Sequence, residues 1–277
     1  MNCYDRHYLK IALPAALEGL FMILLASTDL ILVGALGSLS VAAVSIFLQP
    51  RLILLCFSRS LASAVTLVSC NYAGRGEKEP SADLLKKSLF LGALALGLLH
   101  GIFFIFLEDI LILMGASSDY LPLAMEYSPL ALLAVYFTSL TLILQAVQLG
   151  YGNTASIMKT NICGNLLNAA LSFLLIRGLG PVPAYGVFGA AIGTAAGTLF
   201  SLLYAWFLLK REGFFHGGRW IPDTAYFKKG GSPFRQCIKR AGQRAYRHGA
   251  LFPYGRRSWY GALRGAQHLH EYLRYLL

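Results

Sequence analysis

Two carboxylates, Glu18 and Asp29, stand inside a long apolar stretch near the start of the chain. A carboxylate in hydrocarbon is costly, so it usually faces a cavity or a partner and marks an ion or substrate pathway. Their separation of eleven residues places both on one helical face, about 16 Å apart along the axis. Pro14 lies one turn before Glu18, where it removes a backbone hydrogen bond and allows a bend. The pattern predicts a functional site at Asp29, with Glu18 either in the same pathway or at the cytoplasmic interface.

A second polar pattern consists of Asn161, Asn165, Asn168 and Ser172. Their spacings of four, three and four residues put all four on one face of a helix. An Asn amide can accept a hydrogen bond from a protonated carboxyl or coordinate a cation. The stripe therefore predicts a polar surface that could complete an ion or substrate site.

Helix packing is the alternative interpretation of these polar residues. Polar contacts between membrane helices also hold the helices together, and runs of Gly and Ala let them approach closely. For the asparagine stripe, packing and transport both stay open. For Thr194, which stands in the small-residue run 189–194, packing is favoured.

The composition argues against a water-soluble enzyme. Hydrophobic residues make up 56% of the chain and charged residues 13%, against roughly 25% charged residues in a soluble domain. The sequence contains no nucleophile–base arrangement, phosphate-binding glycine loop or dinucleotide fingerprint. The five cysteines form no CxxC or Cys/His cluster, so we expect buried, unreactive thiols rather than a metal site. We expect no enzymatic activity and no cofactor apart from a coupling ion.

Long apolar segments predict an all-α integral membrane protein. A hydrocarbon core of about 30 Å requires about 20 apolar residues per helix. Six segments in residues 1–212 meet this requirement and predict a six-helix bundle. They span residues 11–36, 41–70, 88–114, 121–149, 157–176 and 187–209.

The distribution of Lys and Arg between the loops predicts the orientation, because cytoplasmic loops are enriched in both. The loops near Gly37 and Ser117 contain neither residue, and the last loop on that side contains only Arg177. We therefore expect a multi-pass protein of the plasma membrane with both termini in the cytoplasm. The basic residues on the opposite side are Arg6, Lys10, Arg75, Lys78, Lys86, Lys87, Lys159, Lys210 and Arg211.

Residues 213–277 form a compositionally distinct, basic tail. They hold 12 of the 24 Lys and Arg residues but only 2 of the 13 Asp and Glu residues. The tail contains no apolar run long enough to cross a membrane. We expect an irregular, disordered segment that contacts anionic lipid headgroups. No nucleic-acid-binding motif occurs in it, so no nucleic-acid partner is expected.

Several short segments together resemble the MATE family, the multidrug and toxic compound extrusion transporters. Their order and spacing over about residues 5–212 carry the resemblance. The segments are residues 11–14 (IALP), 27–29 (STD), 33–37 (VGALG), 152–154 (GNT), 164–168 (GNLLN), 175–181 (LIRGLGP) and 186–191 (GVFGAA).

The resemblance implies a fold and a role for individual residues. MATE proteins have two six-helix bundles that are parallel repeats, and this chain would form the N-terminal lobe. They export small, often cationic organic compounds and other xenobiotics in exchange for H⁺ or Na⁺. Asp29 matches the aspartate that takes the coupling ion, so Asp29 is a possible Na⁺ ligand. Pro14 matches the proline at which that helix bends. Asn168 and Thr194 match polar neighbours of the acid, whereas Ser172 stands where many members carry an acidic residue.

The missing second bundle is the main departure from the family pattern. We expect either an inactive half or a homodimer, because two parallel copies could supply both lobes. A reading-frame shift near Lys229 would explain the Arg-rich tail. Two other functions stay open: a flippase for a lipid-linked substrate, with an arginine-lined cavity and no ion dependence, and a non-transporting membrane remnant or scaffold.

Overall fold

The structure, a computed structural model, describes residues 13, 16, 17, 19–21, 31–178, 183–216 and 220. Within these ranges the chain is helical and contains no strand. Residues 31–34 are helical and belong to the end of the first predicted span. The helices that follow are α1 (Ser38–Ile46), α2 (Leu48–Gly74), α3 (Lys78–Ile105), α4 (Leu107–Leu113), α5 (Leu121–Gly150), α6 (Thr154–Arg177) and α7 (Gly186–Arg211).

The second predicted span is two helices, α1 and α2, interrupted at Phe47. Pro50 lies in the first turn of α2. Because proline has no N–H and its ring clashes with the carbonyl four residues earlier, a continuous helix through Ile46 is disfavoured. Together the two helices cover Ser38–Gly74, which extends the predicted span at both ends.

The third predicted span begins ten residues earlier than expected, because α3 already starts at Lys78. Our placement of Lys86 and Lys87 in a loop was therefore wrong. Both are buried within α3, and Lys87 Nζ lies 2.7 Å from Asp83 Oδ2 one turn away. Ala82, which lies before the predicted start of this span, is buried in the core. Tertiary packing therefore stabilises helix in residues that precede the apolar segment.

Among the described residues, four helical segments are long and apolar enough to cross a membrane: Ser38–Gly74, α3, α5 and α7. Helix α6 forms as predicted, but it is not among the four, because its polar stripe lowers its hydropathy. The first predicted span lies largely outside the described residues. The all-α membrane fold is confirmed, whereas the count of six spans, the boundary at residue 212 and the orientation stay predictions.

Helix α5 is the centre of the described bundle and contacts each of the six other helices defined above. In its most apolar stretch 61% of the residues are buried, compared with 28% to 33% in the other three apolar spans. Helices α2, α3 and α7 pack around it, and α6 packs mainly on α7. This arrangement leaves the outer faces of the surrounding helices for lipid.

The core has two apolar layers along α5, with a hydroxyl pair between them. One layer includes Leu54 and Leu132, and the other includes Val65 and Leu144. Between them Ser58 Oγ donates to Ser139 Oγ at 2.7 Å, joining α2 to α5. Both hydroxyls also lie within hydrogen-bond distance of carbonyls of their own helices, so these two buried groups are satisfied.

Helices α6 and α7 approach so closely that their glycines have no room for a side chain. A Cβ atom placed on Gly189 would lie 2.7 Å from the Leu175 carbonyl oxygen. A Cβ atom on Gly193 would lie 2.8 Å from the Ser172 nitrogen, and one on Gly197 would lie 2.7 Å from Asn168 Cβ. The predicted packing role of the small-residue run is thus confirmed, because small residues at every fourth position let two backbones touch.

Three cysteines in the described part of the chain, Cys56, Cys70 and Cys163, are free and exposed on the bundle. Our expectation that the thiols in apolar segments are buried was wrong at these positions. A small apolar thiol is compatible with a lipid-facing helix surface as well as with a core. Hydropathy could not distinguish these two environments.

The close contact between α6 and α7 predicts that Gly193→Ala destabilises the bundle. The added methyl group has to displace the α6 backbone at Ser172, and overpacking of this kind typically costs about 1–3 kcal/mol. The measurement is the thermal unfolding midpoint of the purified chain in detergent.

The matched control is Gly101→Ala in α3, where a Cβ atom would meet nothing within 4 Å. That change should be neutral or stabilising by about 0.5–1 kcal/mol, because alanine is the better helix former. Equal unfolding midpoints for both variants would contradict the close packing of α6 on α7.

Candidate functional site

The predicted coupling residues of the first span lie outside the described part of the chain. Pro14, Glu18 and Asp29 all fall there, so their roles, and Na⁺ binding at Asp29, stay predictions. The rest of the predicted site, on α6 and α7, is described.

The polar stripe of α6 is half-buried in its first half and buried toward its other end. Asn161 and Asn165 are half-buried, whereas Asn168 and Ser172 are only 8% and 2% exposed. Ser172 Oγ donates to Asn168 Oδ1 at 3.0 Å, one turn away on the same helix. The stripe therefore contains an internal hydrogen bond between its two most buried members.

Two members of the stripe lie in the contact between α6 and α7. Gly197 is opposite Asn168 and Gly193 is opposite Ser172, with no space for a Cβ atom at either position. Packing is therefore part of the role of Asn168 and Ser172. The contact with Gly197 is made by Cα and Cβ of Asn168, so the side-chain amide is not the part that packs against α7.

Thr194 is half-buried in α7, next to Gly193. Its hydroxyl donates to the Ala190 carbonyl at 2.9 Å, one turn earlier in the same helix. Thr198 repeats the pattern one turn later, donating to the Thr194 carbonyl. These bonds satisfy both hydroxyls within α7, in agreement with the packing interpretation, while each oxygen keeps a lone pair that could accept another hydrogen bond.

Helix α5 carries two buried glutamines that the sequence analysis missed, Gln145 and Gln148, of which Gln145 contacts the polar stripe. Gln145 Nε2 donates to Asn161 Oδ1 at 2.7 Å, which joins α5 to the stripe. Gln148 is fully buried, and neither of its amide atoms has a hydrogen-bond partner among the residues that the structure describes. The rule applied to Glu18 and Asp29, that polar residues inside an apolar span mark a site, would have identified both.

The described part of this site is neutral. Its members are amides and hydroxyls on α5, α6 and α7, which can hydrogen-bond a cargo, coordinate an alkali cation through oxygen or accept a hydrogen bond from a protonated carboxyl. No group of three or more His, Cys, Asp or Glu residues that could hold a metal ion occurs among the described residues. Asp29, the ionisable residue that the sequence predicts for this site, lies outside the described residues.

Charge collects instead at the end of α7, in a group that we call the Glu212 cluster: Glu212, Asn153, Ser156 and Lys78. Asn153 Nδ2 donates to Glu212 Oε1 at 2.8 Å, and Ser156 also hydrogen-bonds to the Glu212 carboxyl. Lys78 Nζ donates to the Glu212 carbonyl oxygen. The cluster therefore ties together the starts of α3 and α6 and the end of α7.

Burial is the main influence on the Glu212 carboxyl. It raises the pKa of Glu212 above the usual value of 4.5, while the Lys78 ammonium and the hydrogen bonds from Asn153 and Ser156 act in the opposite direction. Desolvation prevails, so the folded chain holds the Glu212 proton to a higher pH than the unfolded chain does.

This raised pKa predicts a pH-dependent difference between the wild type and Glu212→Gln. A carboxyl with a raised folded-state pKa stabilises the fold below its usual pKa, and that contribution is lost as the pH rises through the raised value. Glutamine keeps an oxygen that can accept from Asn153 but has no charge to desolvate. The wild type should lose stability relative to Glu212→Gln as the pH rises above about 4.5, measured as unfolding midpoints in detergent.

Glu79→Gln is the matched control, because Glu79 is exposed at the start of α3. Its unfolding midpoint should follow that of the wild type across the same pH range. Parallel curves for the wild type and Glu212→Gln would rule out desolvation of the Glu212 carboxyl.

Comparison with solved structures agrees with the helical arrangement. A MOP superfamily transporter from Pyrococcus furiosus superposes with a TM-score of 0.70 at 22% identity, covering 85% of this chain and 50% of that one. The Vibrio cholerae MATE transporter VcmN in the bent form gives a TM-score of 0.73 at 17% identity, covering 86% and 52%. At these identities the likeness shows the fold, which is one lobe of such a transporter.

Sequence comparison identifies relatives of about twice the length. A probable multidrug resistance protein NorM from Rhizobium meliloti is 25% identical over 234 residues, which are 82% of this chain and 50% of the relative. An FAD transporter from Shewanella oneidensis is 25% identical over 204 residues, 74% of this chain and 45% of the relative. The chain thus spans about half the length of the relatives it matches.

The family model described as MatE matches residues 14–174, which is more than half of the 277 residues. The match begins at Pro14 and includes Asp29 and the whole polar stripe of α6. On this evidence the chain belongs to the MatE family, whose members are membrane transporters.

Proposed function

We propose that this chain is one lobe of an exporter of small organic compounds, driven by exchange for H⁺ or Na⁺ across the plasma membrane. The observation that carries the proposal is the MatE match over residues 14–174, because it includes both the acid-bearing first span and the polar stripe. The neutral amides and hydroxyls of α5, α6 and α7 support it, since they suit a cargo surface that needs one ionisable partner.

In this proposal Asp29 is the coupling group and α6 forms its polar surroundings. Binding of H⁺ or Na⁺ cancels the charge of Asp29, and the first helix then bends at Pro14 and repacks. In the same proposal Glu18, which its spacing predicts on the same helical face, serves the same pathway. Cargo and ion would compete because they favour different states of one helix, and each ligand shifts the equilibrium only by its differential affinity for those states.

The second lobe is the remaining requirement, because alternating access needs two bundles that move against each other. The parallel repeats of such transporters allow two copies of this chain, inserted in the same orientation, to supply both lobes. We propose a homodimer as the active form. The basic residues at one end of α3 and α7, Lys78, Lys210 and Arg211, are consistent with cytoplasmic termini under the positive-inside rule.

The names of the relatives suggest two kinds of cargo. NorM of Rhizobium meliloti is a probable multidrug resistance protein and the Shewanella oneidensis relative is an FAD transporter. A cationic dye and a flavin nucleotide are therefore the two probes to compare. A flippase for a lipid-linked substrate, the alternative from the sequence, would move neither probe and would not depend on an ion gradient.

We predict that cells expressing the full chain accumulate less of a cationic dye, such as ethidium, than cells with an empty vector. Asp29→Asn should abolish this difference, because the amide can neither release a proton nor carry the charge that holds Na⁺. The measurement is dye fluorescence in an efflux-deficient bacterial strain, with FAD in the medium measured in parallel. Removing the pH gradient or replacing Na⁺ identifies the coupling ion.

Asp119→Asn is the matched control, because the same substitution is made at an exposed loop residue, and it should retain efflux. Cross-linking in the membrane should show dimers of the active chain. Efflux by Asp29→Asn at the wild-type rate would reject the coupling role of Asp29. A correctly inserted chain that moves no probe, whether or not it dimerises, would reject the two-copy exporter, and both the flippase and the remnant predict that result.

A further inference from the structure

Three aromatic rings form a stack where the chain leaves α7. The rings of Trp206 and Phe215 lie 4.1 Å apart with an interplanar angle of 26°. The Trp220 ring lies 5.9 Å from Trp206 and 6.1 Å from Phe215, at 17° and 21°. We call these three residues the aromatic stack. Its outermost member, Trp220, is 41% exposed, so the stack has a face that the described part of the chain does not cover.

A tight reversal of the chain after α7 builds the stack. Gly213 has a φ of +82°, the left-handed conformation that closes many helices. The Phe214 nitrogen donates to the Leu209 carbonyl and the Gly213 nitrogen to the Lys210 carbonyl, both at 3.0 Å. Phe214 is buried with Leu209 in the core, which directs the next residue, Phe215, back onto Trp206. The stack is therefore fixed by the fold.

The length of α7 places the stack at the level of the lipid headgroups. A helix of 26 residues is about 39 Å long, which exceeds a hydrocarbon core of about 30 Å. Trp206 follows Gly186 by 20 residues, or about 30 Å along the axis. At the opposite end Tyr185 is 43% exposed. Trp and Tyr side chains at both ends of a span are typical of the two membrane interfaces.

The exposed charges near the stack come from two cations and from Glu79, which lines a pocket with Gly213 and His216 on the turn that follows α7. Lys210 and Arg211 are exposed in the last turn of α7, one turn beyond Trp206. The adjacent carboxyl of Glu212 is occupied by hydrogen bonds from Asn153 and Ser156. Basic residues at a membrane surface attract anionic lipids, and each Lys or Arg contributes about 1 kcal/mol to the binding free energy.

From these observations we propose that the aromatic stack, together with Lys210 and Arg211, is a binding surface for anionic phospholipid. Trp206 and Trp220 lie at the boundary between headgroups and acyl chains, and the two cations contact lipid phosphates. This surface anchors the segment that follows α7 to the bilayer. The proposal does not depend on transport, so it can be tested in a chain that moves no cargo.

The first test locates the stack by fluorescence quenching in vesicles of brominated phosphatidylcholine. The chain has tryptophans only at positions 206, 220 and 259, so Trp259→Phe leaves the emission of the stack. Bromine near the headgroup end of the acyl chain should quench this emission about twofold more than bromine near the bilayer centre, as expected for interfacial indoles. Preferential quenching at the bilayer centre, or quenching by aqueous iodide alone, would overturn the proposal.

A depth control uses the same helix. Phe200 is 39% exposed and lies six residues before Trp206, about 9 Å closer to the bilayer centre. Phe200→Trp in a chain whose three native tryptophans are replaced by Phe should show the opposite depth preference. If both positions gave the same profile, the headgroup-level assignment would be wrong.

The second test concerns the lipid charge. Addition of phosphatidylglycerol to the vesicles should shift the emission of the stack to shorter wavelength and protect it from acrylamide, a neutral quencher that the lipid charge does not repel. Lys210→Gln combined with Arg211→Gln should remove this response, whereas Arg177→Gln, at the opposite end of the bundle, should leave it unchanged. An equal response in the double variant would overturn the role of the cations. If protection from the quencher increased with protein concentration and not with lipid charge, a second copy of the chain would be covering the stack, and the lipid proposal would be wrong.

Discussion

The close contact between α6 and α7 is the interaction on which the described site depends. Gly189, Gly193 and Gly197 repeat at every fourth residue, and atoms of α6 fill the space that side chains would occupy. A membrane helix gains little from burying apolar side chains away from apolar lipid, so backbone contact and hydrogen bonds have to hold the pair together. The same contact positions Asn168 and Ser172, and through them the polar stripe.

Packing and transport began as alternatives for the asparagine stripe; the structure shows the packing, and our proposal assigns transport to the same residues. Asn168 and Ser172 lie against the glycines of α7, and they hydrogen-bond to each other through their side chains. Asn161 is joined to α5 through Gln145. A polar surface fixed in this way would not need to reorganise when an ion or cargo arrives, which favours selective binding.

The two halves of α7 differ in their physical role. The first half, with the glycines, holds α6, whereas the second half leads to the Glu212 cluster and the aromatic stack. The cluster joins the starts of α3 and α6 to the end of α7 by hydrogen bonds. These hydrogen bonds fix the direction in which the chain leaves the bundle after α7. In a two-lobe transporter, the connection to the other lobe begins at such a point.

The sequence alone determined the membrane class, the approximate helices, the family and the polar stripe. This was possible because a bilayer requires long apolar helices, and because residues at helical spacing share a face whatever surrounds them. It did not reveal the early start of α3 at Lys78, the exposure of Cys56, Cys70 and Cys163, or the partners of Gln145 and Glu212. These features depend on which helix lies against which face, and hydropathy is the same for an apolar residue facing lipid or core. Only the tertiary structure decided them.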